Sequence, residues 1–316
     1  MTATDTDPVP PIDADDDGAA ASGSIARRIV EIDGIPMSAL VAEAANPRAV
    51  IVAVHGGATT SAYFDCPGHP RLSLLRTAAA VGFTAIALDR PGYGSSLPYG
   101  GELDAPARRI DLAYAAVDRI LHDRPRGAGI FLWAHSAGSE LVVRMAADAR
   151  GTELLGLELA GTGREHHPAA APILDTAHRN ASAAGVRDLL WQPRRLYPPE
   201  LFGGATISSP TPAYEGTVVR RWAEHDFPAL ADMVRTPVHF TAGAYERVWR
   251  NDSSALAQIA AMFTAAPRVV LNEQADSGHN LSLGYTATAY HLKVLSFVEE
   301  CAVARESEGF SRDEFV

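Results

Sequence analysis

The 316-residue chain has only two cysteines, Cys66 and Cys301, far apart in sequence. Two are too few for a disulfide framework and offer no cysteine-based metal site, so two reduced thiols are expected. No apolar run approaches the roughly 20 residues that span a bilayer. The opening "MTATDTDPVPPIDADDDGAAASGS" has no basic start and no apolar stretch behind it, so it does not read as a secretory signal. A basic stripe is also missing, which argues against nucleic acid as a partner. Part of the net charge of −11 sits in the opening segment, and residues 1–23 are expected to form a disordered acidic tail. With no span and no export signal, a cytoplasmic protein is the expectation, and 47% hydrophobic residues supply a sizeable core.

Hydrophobic patterning organises the rest. "ARRIVEIDG" and "IPMSALVAEA" alternate apolar and polar residues around Asp33-Gly34, as two half-exposed strands of a hairpin do. "AVIVAVHGG", "FTAIALDRPGYGSS", "GIFLWAHS" and "LLGLELAGTG" are continuous apolar runs ending in small or polar residues, as strands buried on both faces would read. Helical spacing separates them: "RLSLLRTAAAVG", then residues from about Ala105 to His122, then Ala137 to Ala149. Such alternation implies right-handed crossovers and a parallel sheet covered on both faces, with the hairpin adding antiparallel strands at one edge. From Gly163 to about Asp226 the alternation lapses into a Pro-, Ala-, Arg- and aromatic-rich stretch, read as short helices forming a lid over the sheet. It resumes with "TPVHFTAG", a helix near Ser253 to Phe263, "PRVVLNE", the loop "DSGHN" and a last helix from Tyr285 to about Ala304.

In open α/β sheets, sites form at the carboxyl ends of the strands. At those ends the buried strands, "TPVHFTAG" and "PRVVLNE" among them, deliver His55-Gly56-Gly57, Asp89-Arg90-Pro91-Gly92, His135-Ser136-Ala137-Gly138, Gly243 followed by Glu246, and finally His279. A serine, a carboxylate and a histidine therefore fall, in that chain order, at one end of one sheet. The pieces "HGG", "DRPGYGSS", "AHSAG" and "SGHN" together resemble the α/β-hydrolase family from about Ile25 to Ala304. The usual elbow motif is G-x-S-x-G, and here Ala134 replaces the first glycine. The position must be small because strand and helix pack closely there, and alanine meets that need.

The resemblance implies an α/β-hydrolase fold: a core of residues 24–162 and 228–304, a lid insertion at 163–227 and a polar tail at 305–316. It implies Ser136 as nucleophile and His279 as base. The backbone N–H of Ala137 is the first oxyanion donor, and Gly57, or else Ala58, the second. The acid falls on Glu246 in "AGAYER", with Glu165, one strand earlier, as the alternative, while Asp276 reads as a loop cap. His55 and His135 are candidate pocket or packing residues, and Trp191 and Trp222 candidate substrate wall or lid core. Arg194-Arg195 and Arg220-Arg221 read as solvated faces, and His166-His167 as a solvated loop rather than a metal site. "DRPGYGSS" lacks the lysine and spacing of a nucleotide loop and reads as a structural turn.

The expected activity is hydrolysis of a carboxylic ester or thioester through an acyl-enzyme, on a small-molecule substrate and with no cofactor or metal. Acyl transfer or cyclisation by the same residues is the alternative within enzymes. A non-catalytic binding protein on the same scaffold is the alternative outside them.

Overall fold

The structure of the protein, a computed structural model, describes residues 24–174 and 185–313. The expected acidic tail at 1–23 lies outside the described residues. Eight strands form one sheet: β1 (Ile25–Ile32), β2 (Ile35–Ala42), β3 (Val50–Val54), β4 (Thr84–Leu88), β5 (Ile130–His135), β6 (Gly156–Ala160), β7 (Val238–Gly243) and β8 (Val269–Gln274). Their spatial order is β1-β2-β4-β3-β5-β6-β7-β8. β1 and β2 run antiparallel, and every pair from β4 and β3 onward is parallel. Asp33 and Gly34 close the hairpin, both at positive φ (51° and 80°), as a two-residue primed turn requires.

The apolar runs are buried on both faces, as their continuity predicts. Along β3, Val50, Val52 and Val54 enter one core with Leu112, Leu141 and Phe227. Ile51 and Ala53 enter the opposite core with Leu74, Tyr290 and Val298. Helices Pro106–Leu121 and Gly138–Ala147 cover the first face, and helices Leu74–Ala80 and Ala287–Asp313 the second. Among the described residues no helix is long and apolar enough to cross a membrane.

Three expectations need correction. β2 is not half-exposed: it lies between β1 and β4, so both its faces are covered and even Ser38 is buried, its hydroxyl bonded to Asp89 at 2.6 Å. β8 is not a buried strand but the far edge, and alternate residues reach solvent. The last helix does not stop near Ala304; it runs to Asp313. Its extension is anchored by Arg48, which pairs with Glu299 and Glu306 at 2.9 and 2.8 Å, and by Arg305, which donates to the Leu154 carbonyl.

Among its described residues the connection from β6 to β7 holds short helices at Val186–Leu190, Glu215–Arg221 and Phe227–Ala231, the last two joined by a π turn at Trp222–Asp226. Main-chain hydrogen bonds are among the contacts that fasten it to the carboxyl edge of the sheet. His167 donates to the Val248 carbonyl, Leu196 accepts from the Tyr285 amide, and Ser209 donates to the Ala58 carbonyl.

Candidate active site

β5 ends at His135, and the chain reverses at once into the helix Gly138–Ala147. Ser136 sits at the apex with φ 51°, a left-handed conformation that costs a non-glycine residue of order 1–3 kcal/mol. Packing enforces it. The Ser136 amide donates to the Ala160 carbonyl at 2.8 Å, and the Ser136 carbonyl accepts from Ser139 at 2.9 Å. Gly138 lies so close to β3 that a Cβ would stand 2.5 Å from the His55 carbonyl oxygen. The result is a partly exposed hydroxyl above the sheet, at the amide end of a helix.

His279, in the loop after β8, reaches that hydroxyl. Its Nε2 lies 3.2 Å from Ser136 Oγ, and its Nδ1 lies 3.1 and 3.0 Å from Glu246 Oε1 and Oε2. Glu246 follows β7 and is buried, and its Oε1 also accepts from the amides of Arg247 and Val248 at 2.9 and 2.8 Å. Burial alone would raise its pKa. The facing His279 and the two amides outweigh that, and the carboxyl is held below its ordinary value. A carboxylate at Nδ1 fixes that nitrogen as N–H and leaves Nε2 as the acceptor facing the serine. Of the alternative acids, Glu165 is engaged by Arg250 at 2.6 Å at the surface, and Asp276 is an exposed loop residue whose carbonyl accepts from Thr286.

The loop after β3 packs against the same turn. A Cβ on Gly56 would stand 3.1 Å from the Cβ of Ser136, and one on Gly57 3.8 Å from the Cβ of Ala137. The Ala58 amide donates to the Tyr93 hydroxyl at 3.2 Å, so of the two candidate second donors it is the one already engaged. His55 is fully buried, with Nδ1 2.8 Å from the Gly56 carbonyl and Nε2 accepting from the Arg90 amide at 3.1 Å. His135 stacks on Tyr63 with ring centres 4.3 Å apart. Trp191 and Trp222 are buried in the β6–β7 connection, the first against Tyr197 and Phe202, the second stacked on Phe227 and bonded through Nε1 to Thr162. His166 packs on Trp249, Arg194 and Arg195 lie over the rings of Phe202 and Tyr245, and Arg220 and Arg221 bond Thr217 and Asp226.

A family model described as "Alpha/beta hydrolase family" matches residues 51–289. The chain belongs to the alpha/beta hydrolase family. Membership supports a hydrolytic enzyme. A search of curated proteins finds no match. Among solved structures, this hydrolase is similar to a thermostable carboxyl esterase from Bacillus coagulans (16% identity, 88% of this chain and all of the other covered, TM-score 0.61). It is also similar to a protein described as "Lipase (Open form)" (17% identity, 88% and 99% covered, TM-score 0.61) and to the thioesterase domain of the curacin biosynthetic pathway (18% identity, 86% and 99% covered, TM-score 0.55). At these identities the likeness is one of fold.

Two residues beside this site escaped sequence reasoning. Arg90 is fully buried below the Gly56–Gly57 loop, and Glu215 reaches it from the β6–β7 connection at 2.9 Å. The available signal for Arg90 was a cation directly after a buried strand. Glu215 lies in a stretch without periodicity and had none.

Proposed function

We propose that the chain is a serine hydrolase that cleaves a carboxylic ester or thioester through an acyl-enzyme on Ser136. The observation that carries this reading is the unbroken path Glu246–His279–Ser136, every step within 3.2 Å. In this reading His279 takes the Ser136 proton as the hydroxyl attacks the carbonyl carbon, then delivers it to the leaving group. A water deprotonated by the same imidazole releases the acid. Glu246 holds the tautomer and stabilises the imidazolium. The amides of Ala137 and Gly57 receive the oxyanion; loss of one such donor costs about 10²–10³ in rate. The β6–β7 connection acts as a lid, with Trp191 and Trp222 behind the apolar wall of the acyl site. The esterase, lipase and thioesterase named among the similar structures fit this chemistry.

The test is labelling with a fluorophosphonate probe together with turnover of p-nitrophenyl butyrate. The expected result is a single adduct on Ser136 and loss of both labelling and turnover in a folded Ser136→Ala variant. Turnover retained in that variant overturns the assignment.

A further inference from the structure

The Gly56–Gly57 peptide is held from behind by a buried cation. Arg90 is 1% exposed, and its Nη2 donates to the Gly56 carbonyl at 3.0 Å and to Glu215 Oε1 at 3.1 Å. Those two bonds use both Nη2 protons. Glu215 Oε2 lies 2.9 Å from the same nitrogen, so both carboxylate oxygens face the guanidinium. The Gly56 carbonyl also faces His55 Nδ1 at 2.8 Å and accepts from the Thr59 hydroxyl at 3.2 Å. Because His55 Nε2 accepts from the Arg90 amide, Nδ1 carries the proton and is the donor. Three donors therefore converge on one carbonyl oxygen.

A trans peptide is planar, and its C=O and N–H point in opposite directions. Fixing the Gly56 carbonyl toward Arg90 fixes the Gly57 N–H away from it. One residue on, the Ala58 amide is taken by the hydroxyl of Tyr93, whose ring lies under the Arg90 guanidinium at 4.6 Å. Glu215 completes the arrangement from the β6–β7 connection. A Cβ on Gly57 would come within 2.6 Å of its Oε1, so the carboxylate abuts the loop directly. A guanidinium this deeply buried needs a compensating charge, and Glu215 supplies it. Tyr214, its neighbour, is fastened to the same loop system through a 2.6 Å bond from its hydroxyl to the Pro91 carbonyl.

We infer that Glu215, Arg90 and Tyr93 are positioning residues that aim the Gly57 amide at the oxyanion, so that the β6–β7 connection helps build the catalytic geometry rather than only covering it. The inference rests on the serine-hydrolase reading above. It deepens that reading by making transition-state stabilisation depend on a carboxylate from the connection. Substrate binding in the ground state does not use the Gly57 amide in the same way, so the effect falls on kcat and on tetrahedral adducts.

The experiment compares Glu215→Gln and Tyr93→Phe with the wild-type chain in p-nitrophenyl butyrate turnover and in inhibition by phenylboronic acid, which forms a tetrahedral adduct on a serine. Both variants are expected to lose about tenfold in kcat and in boronate affinity, with KM within about twofold. A folded variant of either kind that keeps kcat and boronate affinity within twofold of wild type overturns the positioning role. Should Glu215→Gln not fold, Tyr93→Phe decides alone, since it leaves the Arg90–Glu215 pair intact. A wild-type chain that neither turns over the ester nor binds the boronate overturns the hydrolase reading, and this inference with it. An active wild type with unaffected variants overturns only the inference.

Discussion

His135 Nε2 lies 3.0 Å from the main-chain carbonyl of His279, so the residue before the serine holds the loop that carries the histidine. A carbonyl opposite Nε2 makes that nitrogen the N–H donor. Nδ1 is then a lone pair, buried without a hydrogen-bond partner. Burial, followed by the nearby His279, holds the pKa of His135 well below the ordinary imidazole value, so the ring stays neutral. His135→Phe keeps a ring to stack on Tyr63 but removes the donor. We expect it to destabilise the fold by about 0.5–1.5 kcal/mol, because the His279 carbonyl loses one of its two donors and keeps only the Leu281 amide at 3.1 Å. With the loop loosened, kcat should fall about tenfold, the equivalent of ~1.4 kcal/mol in the barrier. Urea unfolding and steady-state kinetics check the two halves.

Glu246→Gln should slow turnover by about 10³–10⁴, because an amide can present its NH₂ to His279 Nδ1 and stabilise the wrong tautomer. The loss should appear in kcat with the fold retained, since the Gln carbonyl can still accept from the amides of Arg247 and Val248, which now bond Oε1. A variant within tenfold of wild type would show that another group orients the histidine.

How much of this was legible in the sequence depends on the range over which each feature is encoded. The runs at β3 and β5 announce strands because β3 is apolar throughout and β5 is apolar up to His135, and their ends mark where candidate site residues fall. Ser136, Glu246 and His279 are candidates on that ground, and their side chains lie together. Burial of β2 and exposure of β8 were misread because they depend on strand order. β2 looks like half of a free hairpin until β4 is placed on its other side. The extra turns of the last helix depend on Arg48, some 251 residues before its partner Glu299. The Arg90–Glu215 pair spans 125 residues and joins a loop to an aperiodic connection. No local pattern encodes such a contact.

The two positions flanking the serine at distance two make opposite predictions. Gly138→Ala would place its Cβ 2.5 and 2.6 Å from the carbonyl oxygens of His55 and Val54, both main-chain atoms that cannot swing aside. It should cost about 3 kcal/mol or more and lower the soluble yield. Ala134 is buried on β5 opposite Val54 and Leu159, where its methyl already fits. Ala134→Gly restores the commoner motif, yet it should leave kcat within about twofold and lose roughly 1 kcal/mol through backbone freedom and the missing methyl. Thermal unfolding of both variants beside their ester turnover decides. A stabilised Gly138→Ala would contradict the packing argument.

Acid sensitivity follows from three buried imidazoles. Burial pushes His291 down to about 3, and holds His55 and His135 well below the ordinary value, with Arg90 adding to the effect at His55 and His279 at His135. In the unfolded chain each takes up a proton as the pH falls below about 6.5, while in the folded chain each stays neutral. The unfolded state therefore binds more protons, and stability falls with falling pH. For His291 the window runs from about 6.5 down to about 3. Each such group contributes up to about 1.4 kcal/mol per pH unit inside its window. Glu246, held below its ordinary value, adds to the loss at the acidic end. The urea midpoint should accordingly drop steeply between pH 6.5 and 5. His291→Gln, which can still reach the Ser282 hydroxyl now 3.0 Å from Nε2, should flatten that slope by nearly one proton. An unchanged slope would mean that His291 is protonated in the folded state and that its burial does not control its charge.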